Sequence, residues 1–312
     1  MMVFRGIAWR LLYLFIVLSG ISLGVFALFA LAPGDPAEII LRERSEAPDR
    51  DQIALLRREM GLDDPWVVQY SRWMKRVCTG QWGESWRSGR PVWTEIAARG
   101  PATIELALAS FFLVVTGSLF CGIIAAFRQN RIPDRLIQAA TVVASAMPSY
   151  WLGLMLIYFF SLKMNLLPVT GRGSWPHLVL PAFTLALSVA VLQGRVLRAA
   201  LIQIMVMDYI RFAVSKGLSP WKIFVRHILR NALAPMATLW GISLGQLLGG
   251  AVIVESIFAW PGLGRLTVEA VMGRDIPLVQ AIVLLMAMIF VTVNQIVDGL
   301  HRQLDPKVGA AG

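Results

Sequence analysis

The run ATIELALASFFLVVTGSLFCGIIAAF, from Ala102 to Phe127, contains one charged residue, Glu105, close to its start. An α-helix rises about 1.5 Å per residue, so about 20 mostly apolar residues cross a hydrocarbon layer about 30 Å thick. Five more segments share this character: Trp9 to Leu31, Leu136 to Leu162, Leu178 to Ala200, Leu233 to Val254 and Leu278 to Leu300. Lys163, Arg195, Arg198, Glu255 and Asp298 stand at or near segment ends, where long side chains reach water. The pattern predicts an all-α polytopic membrane protein with about six transmembrane helices and an external subdomain between helices 1 and 2.

Composition agrees. Of 312 residues, 57% are hydrophobic and 15% charged, against about 45–50% and about 25% in soluble domains. The net charge of +10 does not form a phosphate-binding surface. Its excess lies in short segments beside apolar runs, which argues against nucleic acid as a partner and for the lipid bilayer. One set of short segments holds Arg5 and Arg10, then Arg128, Arg131 and Arg135, then Arg195 to Arg230, then Arg302 and Lys307. The opposite set holds Arg172, Arg265 and Arg274, offset by Glu269 and Asp275. The first set is therefore expected in the cytoplasm, with both termini. The predicted division is 1–31 (N-terminal segment and first helix), 32–101 (external subdomain), 102–300 (five-helix core with a cytoplasmic loop at 201–232) and 301–312 (tail). The first apolar run exceeds the about 7–15 residues of a signal-peptide core and reads as an uncleaved helix. Cys78 and Cys121 fall at different expected depths, and no zinc-ligand spacing occurs.

Within 32–101, Asp49 to Met60 has helical periodicity and Gly61 is a stop signal. Trp66, Tyr70, Trp73, Trp82, Trp86 and Trp93 follow. They suit either a cap resting at headgroup level or a docking surface for an external partner. Pro181 and Pro235 read as first-turn residues of helices four and five. Pro148 falls inside helix three and predicts a kink, structural or pore-lining. Ala237, Gly241, Gly245 and Gly249 form a small-residue ridge, for packing within the chain or against a second membrane chain. Phe258, Trp260, Pro261, Gly262 and Gly264 specify a tight turn beside a membrane helix. That turn either gates the external mouth or lies at the interface anchored by Trp260.

The loop between helices four and five is the most informative. Asp208 is a candidate cap for a short helix that Gly217 ends in the left-handed conformation. Ser219 caps the next helix, with Pro220 at its first position. Tyr209, Phe212 and Ala213 give the first helix an apolar side, while Arg211 and Lys216 keep it wet. Such a helix suits a groove on a partner protein or the inner leaflet.

This loop resembles the coupling loop of binding-protein-dependent ABC importer permeases. Gly217 takes the family's glycine position, and Arg211, Phe212 and Ala213 fall on its Glu-Ala-Ala triplet. His227, Leu229 and Arg230 fall on the later Ile, Leu and Pro; Ala213, Gly217 and Leu229 match. The segments at Asp208–Arg211, Lys216–Ser219, Arg226–Ala232, Ala32–Pro36, Gly61–Pro65 and Phe258–Leu266 resemble the peptide and nickel branch. Pro48–Trp73, Pro148–Trp151 with Leu167-Pro168, and Phe258–Gly262 lean towards nickel or metal-chelate members. The resemblance implies a permease of a bacterial inner membrane, carrying nickel, metal chelates or di- and oligopeptides. It implies a second permease subunit, two ATPase subunits that hold ATP and magnesium, and an external solute-binding protein. Asp208, Tyr209, Arg211, Phe212, Ala213, Lys216 and Gly217 would then meet the ATPase.

The chain has no Gly-x-x-x-x-Gly-Lys-Ser/Thr phosphate loop. No catalytic constellation, metal set or cofactor site of its own is expected. The competing class is a self-contained ion channel or proton-coupled carrier, which would place ionisable residues deep in helices.

Overall fold

Long apolar stretches in hydrocarbon have no water to satisfy their amides, so the chain bonds to itself as helix. The computed structural model describes residues 2–30, 35–44 and 49–304. Ala32 to Gly34, Pro48 and Lys307 of the tail lie outside them. Among the described residues all regular structure is helical, beside one isolated bridge between Glu84 and Pro91. The helices are α1 Met2–Ala30, α2 Pro36–Arg44, α3 Arg50–Met60, α4 Trp66–Cys78, α5 Val92–Phe127, α6 Ile132–Ala146 and α7 Ser149–Leu156. They continue as α8 Trp175–Met205, α9 Asp208–Ser215, α10 Pro220–Ile223, α11 Arg230–Gly250, α12 Val252–Ile257, α13 Leu263–Met272 and α14 Ile276–Leu304. Two π-helical segments, Ile157–Lys163 and Phe224–Leu229, extend α7 and join α10 to α11.

Among the described residues four helices are long and apolar enough to cross a membrane: Val92–Phe127, Trp175–Met205, Pro220–Gly249 and Ile276–Val297. The third expected span is a pair, α6 and α7, bent by 108°. Counted as one, it makes five, against the six expected; α1 adds only a shorter apolar stretch, Leu14–Ala27. The kink expected at Pro148 is thus a full break. Both Met147 (φ −85°, ψ 125°) and Pro148 (φ −62°, ψ 139°) are extended, because a proline ring disfavours helical backbone in the residue before it. The two other prolines are also corrected. α8 opens six residues ahead of Pro181, at Trp175, and Pro235 lies inside a helix continuous from Pro220. Neighbouring helices make interior prolines tolerable in a membrane bundle.

The chain forms two compact units, Met1–Pro101 with Gly262–Ile289, and Ala102–Pro261 with Phe290–Gly312. In the first, α3 begins after Asp49 and stops at Gly61, whose φ of +65° suits only glycine without strain. Arg57 then bonds both Asp35 (2.5 Å) and Asp63 (2.9 Å). α4 lies on α1: Tyr70 Oη and Ser22 Oγ are 2.8 Å apart, and the Phe26 and Tyr70 rings meet at 5.4 Å. The core packs Val92 and Ile96 against Leu263, Leu266, Leu278 and Ile282. Asp275, fully buried, accepts from Ser85 Oγ, from the Trp86 amide (3.2 Å) and from the Leu278 amide (3.4 Å).

In the second unit small residues let helices approach closely, as packing between membrane helices requires. A methyl group on Gly122 would lie 2.8 Å from Leu197 Cβ, where α5 meets α8. Trp240 Nε1 donates to Ser118 Oγ (3.1 Å) and Gln193 Nε2 to Ser243 Oγ (2.6 Å), joining α11 to α5 and α8. Gly241 and Gly245 face α14, and Gly249 faces nothing within 4 Å. A Cβ on Gly241 would sit 2.3 Å from a Val297 methyl. Gly241→Ala should therefore lose about 1–3 kcal/mol through overpacking against a stiff β-branched side chain. Gly249→Ala should lose nothing and gain up to about 1 kcal/mol of helix propensity. Apparent thermal midpoints in detergent micelles, ranked Gly249→Ala at or above wild type and Gly241→Ala below, check both.

Candidate functional site

The loop from Ile202 to Asn231 forms the two helices and tight turn that its capping residues specify. α9 runs Asp208–Ser215 and Gly217 follows in the left-handed region at φ +74°. The Gly217 amide bonds Val214 O (2.9 Å) and the Leu218 amide bonds Ala213 O (3.4 Å). Ser219 Oγ accepts from the Lys222 amide at 3.4 Å, with Pro220 next in the chain. Asp208 is corrected: it is the first helical residue, Met207 holds the cap position, and the Asp208 side chain makes no capping bond. It instead lies 3.7 Å from Arg211 on the exposed face, a pair of little energetic weight in water.

α9 has two unlike sides. Ile210 and Ala213 are buried in one cluster with Leu197 and Leu201 of α8, Ala126 of α5 and Met236 of α11. Ala213 thus belongs to the packed side, not to the exposed apolar side where sequence placed it, because its angular position follows Ile210 by three residues. Tyr209 is 41% exposed and Phe212 61%. Lys216 Nζ stands 4.6 Å from the Phe212 ring centroid, and Asn231 Nδ2 donates to Tyr209 Oη (3.1 Å). Exposed aromatic surface on a polar loop, beside a firmly seated opposite face, is a contact surface.

The turn after α12 is buried. Trp260 is 1% exposed and its Nε1 donates to Ala102 O (2.8 Å). This overturns the reading of Trp260 as a headgroup-level anchor: the indole nitrogen is satisfied inside the protein. Phe258 is also buried, against Gly153, and its carbonyl accepts from the Gly171 amide (2.8 Å). Ala259 adopts φ +48° to turn the chain. Arg172 lies 5.9 Å from the Trp260 ring centroid and pairs with Glu105 at 2.6 Å. A cavity of about 540 Å³ opens here, lined by Glu105, Arg172, Ser174, Trp175, Leu178 and Pro261. Gly262, at φ −103°, precedes α13, and Gly264 is a buried residue within that helix. Gly264 is therefore helical and outside the turn.

Sequence reasoning missed three buried carboxylates, Asp275 of the first unit and two of the second. Glu255, placed near water by its position at a segment end, is wholly buried and accepts from Thr103 Oγ1 (2.8 Å). Asp134 binds both Arg198 nitrogens at 2.7 Å and the Asn130 amide at 2.8 Å. A lone acid flanked by arginines in Arg131-Ile132-Pro133-Asp134-Arg135 was the available signal, but its partner lies 64 residues away.

The second unit is built of membrane-length helices, with a short half-buried helix set between two of them. Residues 118–310 match the binding-protein-dependent transport system inner membrane components, and residues 2–107 match the N-terminal part of such components. The chain belongs to that family and is the permease subunit of an ABC importer. Over 299 residues it is 40% identical to the glutathione transport system permease protein GsiC of Salmonella paratyphi A, covering 96% of this chain and 97% of that one. The protein of the same name from Escherichia coli is 39% identical over the same length and coverage. The inward-facing MetNI methionine ABC transporter shares the fold at a TM-score of 0.58 and 18% identity, over 69% of this chain and 98% of that chain. An amino acid ABC transporter with histidines does so at 0.54 and 16%, over 67% and 94%. A self-contained channel or carrier is thereby set aside.

The Asp134–Arg198 pair ties the start of α6 to the half of α8 that seats α9. Both side chains are withdrawn from solvent, at 4% and 19% exposure. Asp134→Asn should cost about 3–5 kcal/mol, by leaving a guanidinium without its counter-charge. Asp134→Asn combined with Arg198→Gln should cost less than the single change. Thermal unfolding of the two variants beside the wild type checks this; equal losses for the single and double changes would refute the pairing energy.

Proposed function

We propose that this subunit forms half of a translocation pathway for short peptides. It would be paired with a second, homologous permease and driven by two ATPase subunits that hold ATP and magnesium. An external solute-binding protein would deliver the substrate. The setting is a bacterial inner membrane with both termini in the cytoplasm. The observation that carries the reading is the division of α9 into a seated side and an exposed aromatic side. Asp208, Tyr209, Arg211, Phe212 and Lys216 offer a surface to an ATPase groove, while Ile210 and Ala213 hand displacement to α5, α8 and α11. Nucleotide turnover biases a two-state packing only through such a differential contact. Gly217 keeps the helix short and the turn tight.

The turn at Phe258, Trp260 and Pro261, closed over by Arg172 and Glu105, is the proposed gate of the external mouth. An ion pair half open to water opens at little energetic cost. Glutathione, in the names of the two relatives, supports a tripeptide-sized substrate. A second reading, nickel or metal chelates, has support in Pro148–Trp151 and Phe258–Gly262.

A cysteine at Ser215, on the exposed side of α9, should cross-link to co-expressed ATPase subunits in a yield that changes with nucleotide. An absent or nucleotide-insensitive adduct would remove α9 as the lever. Phe212→Ala should lower uptake by about tenfold while leaving the thermal midpoint unchanged, since truncating an interface aromatic costs about 1–2 kcal/mol of contact. Uptake of labelled tripeptide against labelled nickel by the complete system decides the substrate class.

A further inference from the structure

The end of one candidate membrane-spanning element meets the start of another, and a third begins five residues on in the chain. α5 ends at Phe127, the bent pair begins at Ile132, and the span beginning with α10 starts at Pro220. There the rings of Phe127 and Phe224 meet at 5.1 Å, and Trp221 and Phe224 at 6.0 Å. The cluster is not covered by the chain: Phe127 is 54% exposed, Ile132 73% and Trp221 74%. Aromatic rings at the ends of spans settle at the boundary between hydrocarbon and water.

Around this cluster the charge is one-sided. Arg128 follows Phe127, Arg131 closes the turn by donating its amide to Arg128 O (2.9 Å), and Lys222 follows Trp221. Between Leu106 and Val254 the chain has two acids, Asp134 and Asp208. Asp134 is consumed by Arg198 and the Asn130 amide, and Asp208 pairs with Arg211 at 3.7 Å. Among the described residues, Arg128, Arg131, Arg135, Lys222 and Arg226 form no ion pair. Exposed rings at the ends of candidate spans, with unneutralised cations beside them in the chain, match an anionic headgroup above and an acyl chain below.

We infer that Phe127, Trp221 and Phe224, with Arg128, Arg131 and Lys222, form a binding site for an anionic phospholipid. The rings hold the upper acyl chain and the cations hold the phosphate. The site shares α10 and α5 with the cluster that seats α9, so occupancy stabilises the platform against which α9 works.

The test uses the full chain in vesicles where brominated acyl chains are carried by phosphatidylglycerol or, at equal mole fraction, by phosphatidylcholine. The Trp221 contribution to quenching is the difference between wild type and Trp221→Phe. Phosphatidylglycerol should quench it at a roughly five- to tenfold lower mole fraction, as expected for a few cations near a lipid surface. Arg128→Gln, Arg131→Gln and Lys222→Gln together should abolish that preference, and Arg87→Gln, in the other unit, should leave it intact. If the triple variant does not fold, Lys222→Gln alone should lower the preference part-way, and salt should lower it in the wild type. Equal quenching by both lipids, or a preference that survives neutralisation, would overturn the site. So would loss of ATPase co-purification with lipid preference unchanged, which would assign the patch to a protein partner.

Discussion

A backbone amide in hydrocarbon must find its acceptor within the protein, and this requirement governs where the chain is allowed to stop being helical. It stops at Met147 and Pro148, and the Leu152 amide returns to Pro148 O at 3.1 Å. It stops again after α12, where the Trp260 amide bonds Glu255 O (2.8 Å) and the Ala259 amide bonds Ser256 O (3.3 Å). Side-chain hydroxyls follow the same requirement: Ser110 and Thr184 each bond a carbonyl one turn back, at 2.7 Å. The irregular backbone of the proposed gate is thus built from satisfied groups, and the carbonyl of Phe258 is used by a separate loop through Gly171.

What sequence made legible was local. Gly61, Gly217 and Ser219-Pro220 act through their own dihedral angles and nearest amides, so their roles could be read without knowing the partner surface. The membrane-spanning, all-helical class was legible for the same reason, since it depends on composition along a run. What escaped was set by contacts across the chain. The side of α9 that Ala213 occupies depends on Leu197 and Leu201; the burial of Trp260 depends on Ala102. Proline position proved ambiguous in both directions: Pro148 breaks a helix outright, whereas Pro181 and Pro235 sit within helices. The ring alone does not decide between these outcomes, because the freed carbonyl can be satisfied by neighbours.

The α9 platform has a stiff support. Its buried side meets α8 just beyond Arg198, whose bidentate pair with Asp134 orients α8 against α6. The same Asp134 fixes the turn at Asn130, which carries φ +61°. One carboxylate therefore sets α6 against α8 and fixes the turn that joins α5 to α6. The surroundings of α9 are packed side chains and a charge pair rather than a flexible linker.

The first unit is discontinuous, with residues 102–261 inserted between its two parts. During synthesis the first hundred residues emerge with Ser85, Val92 and Ile96 lacking Asp275, Leu278 and Ile282. At about 5–20 residues per second the ribosome needs roughly ten to thirty seconds to supply them. The core of this tryptophan-rich unit is therefore complete only once α13 and the start of α14 have been made.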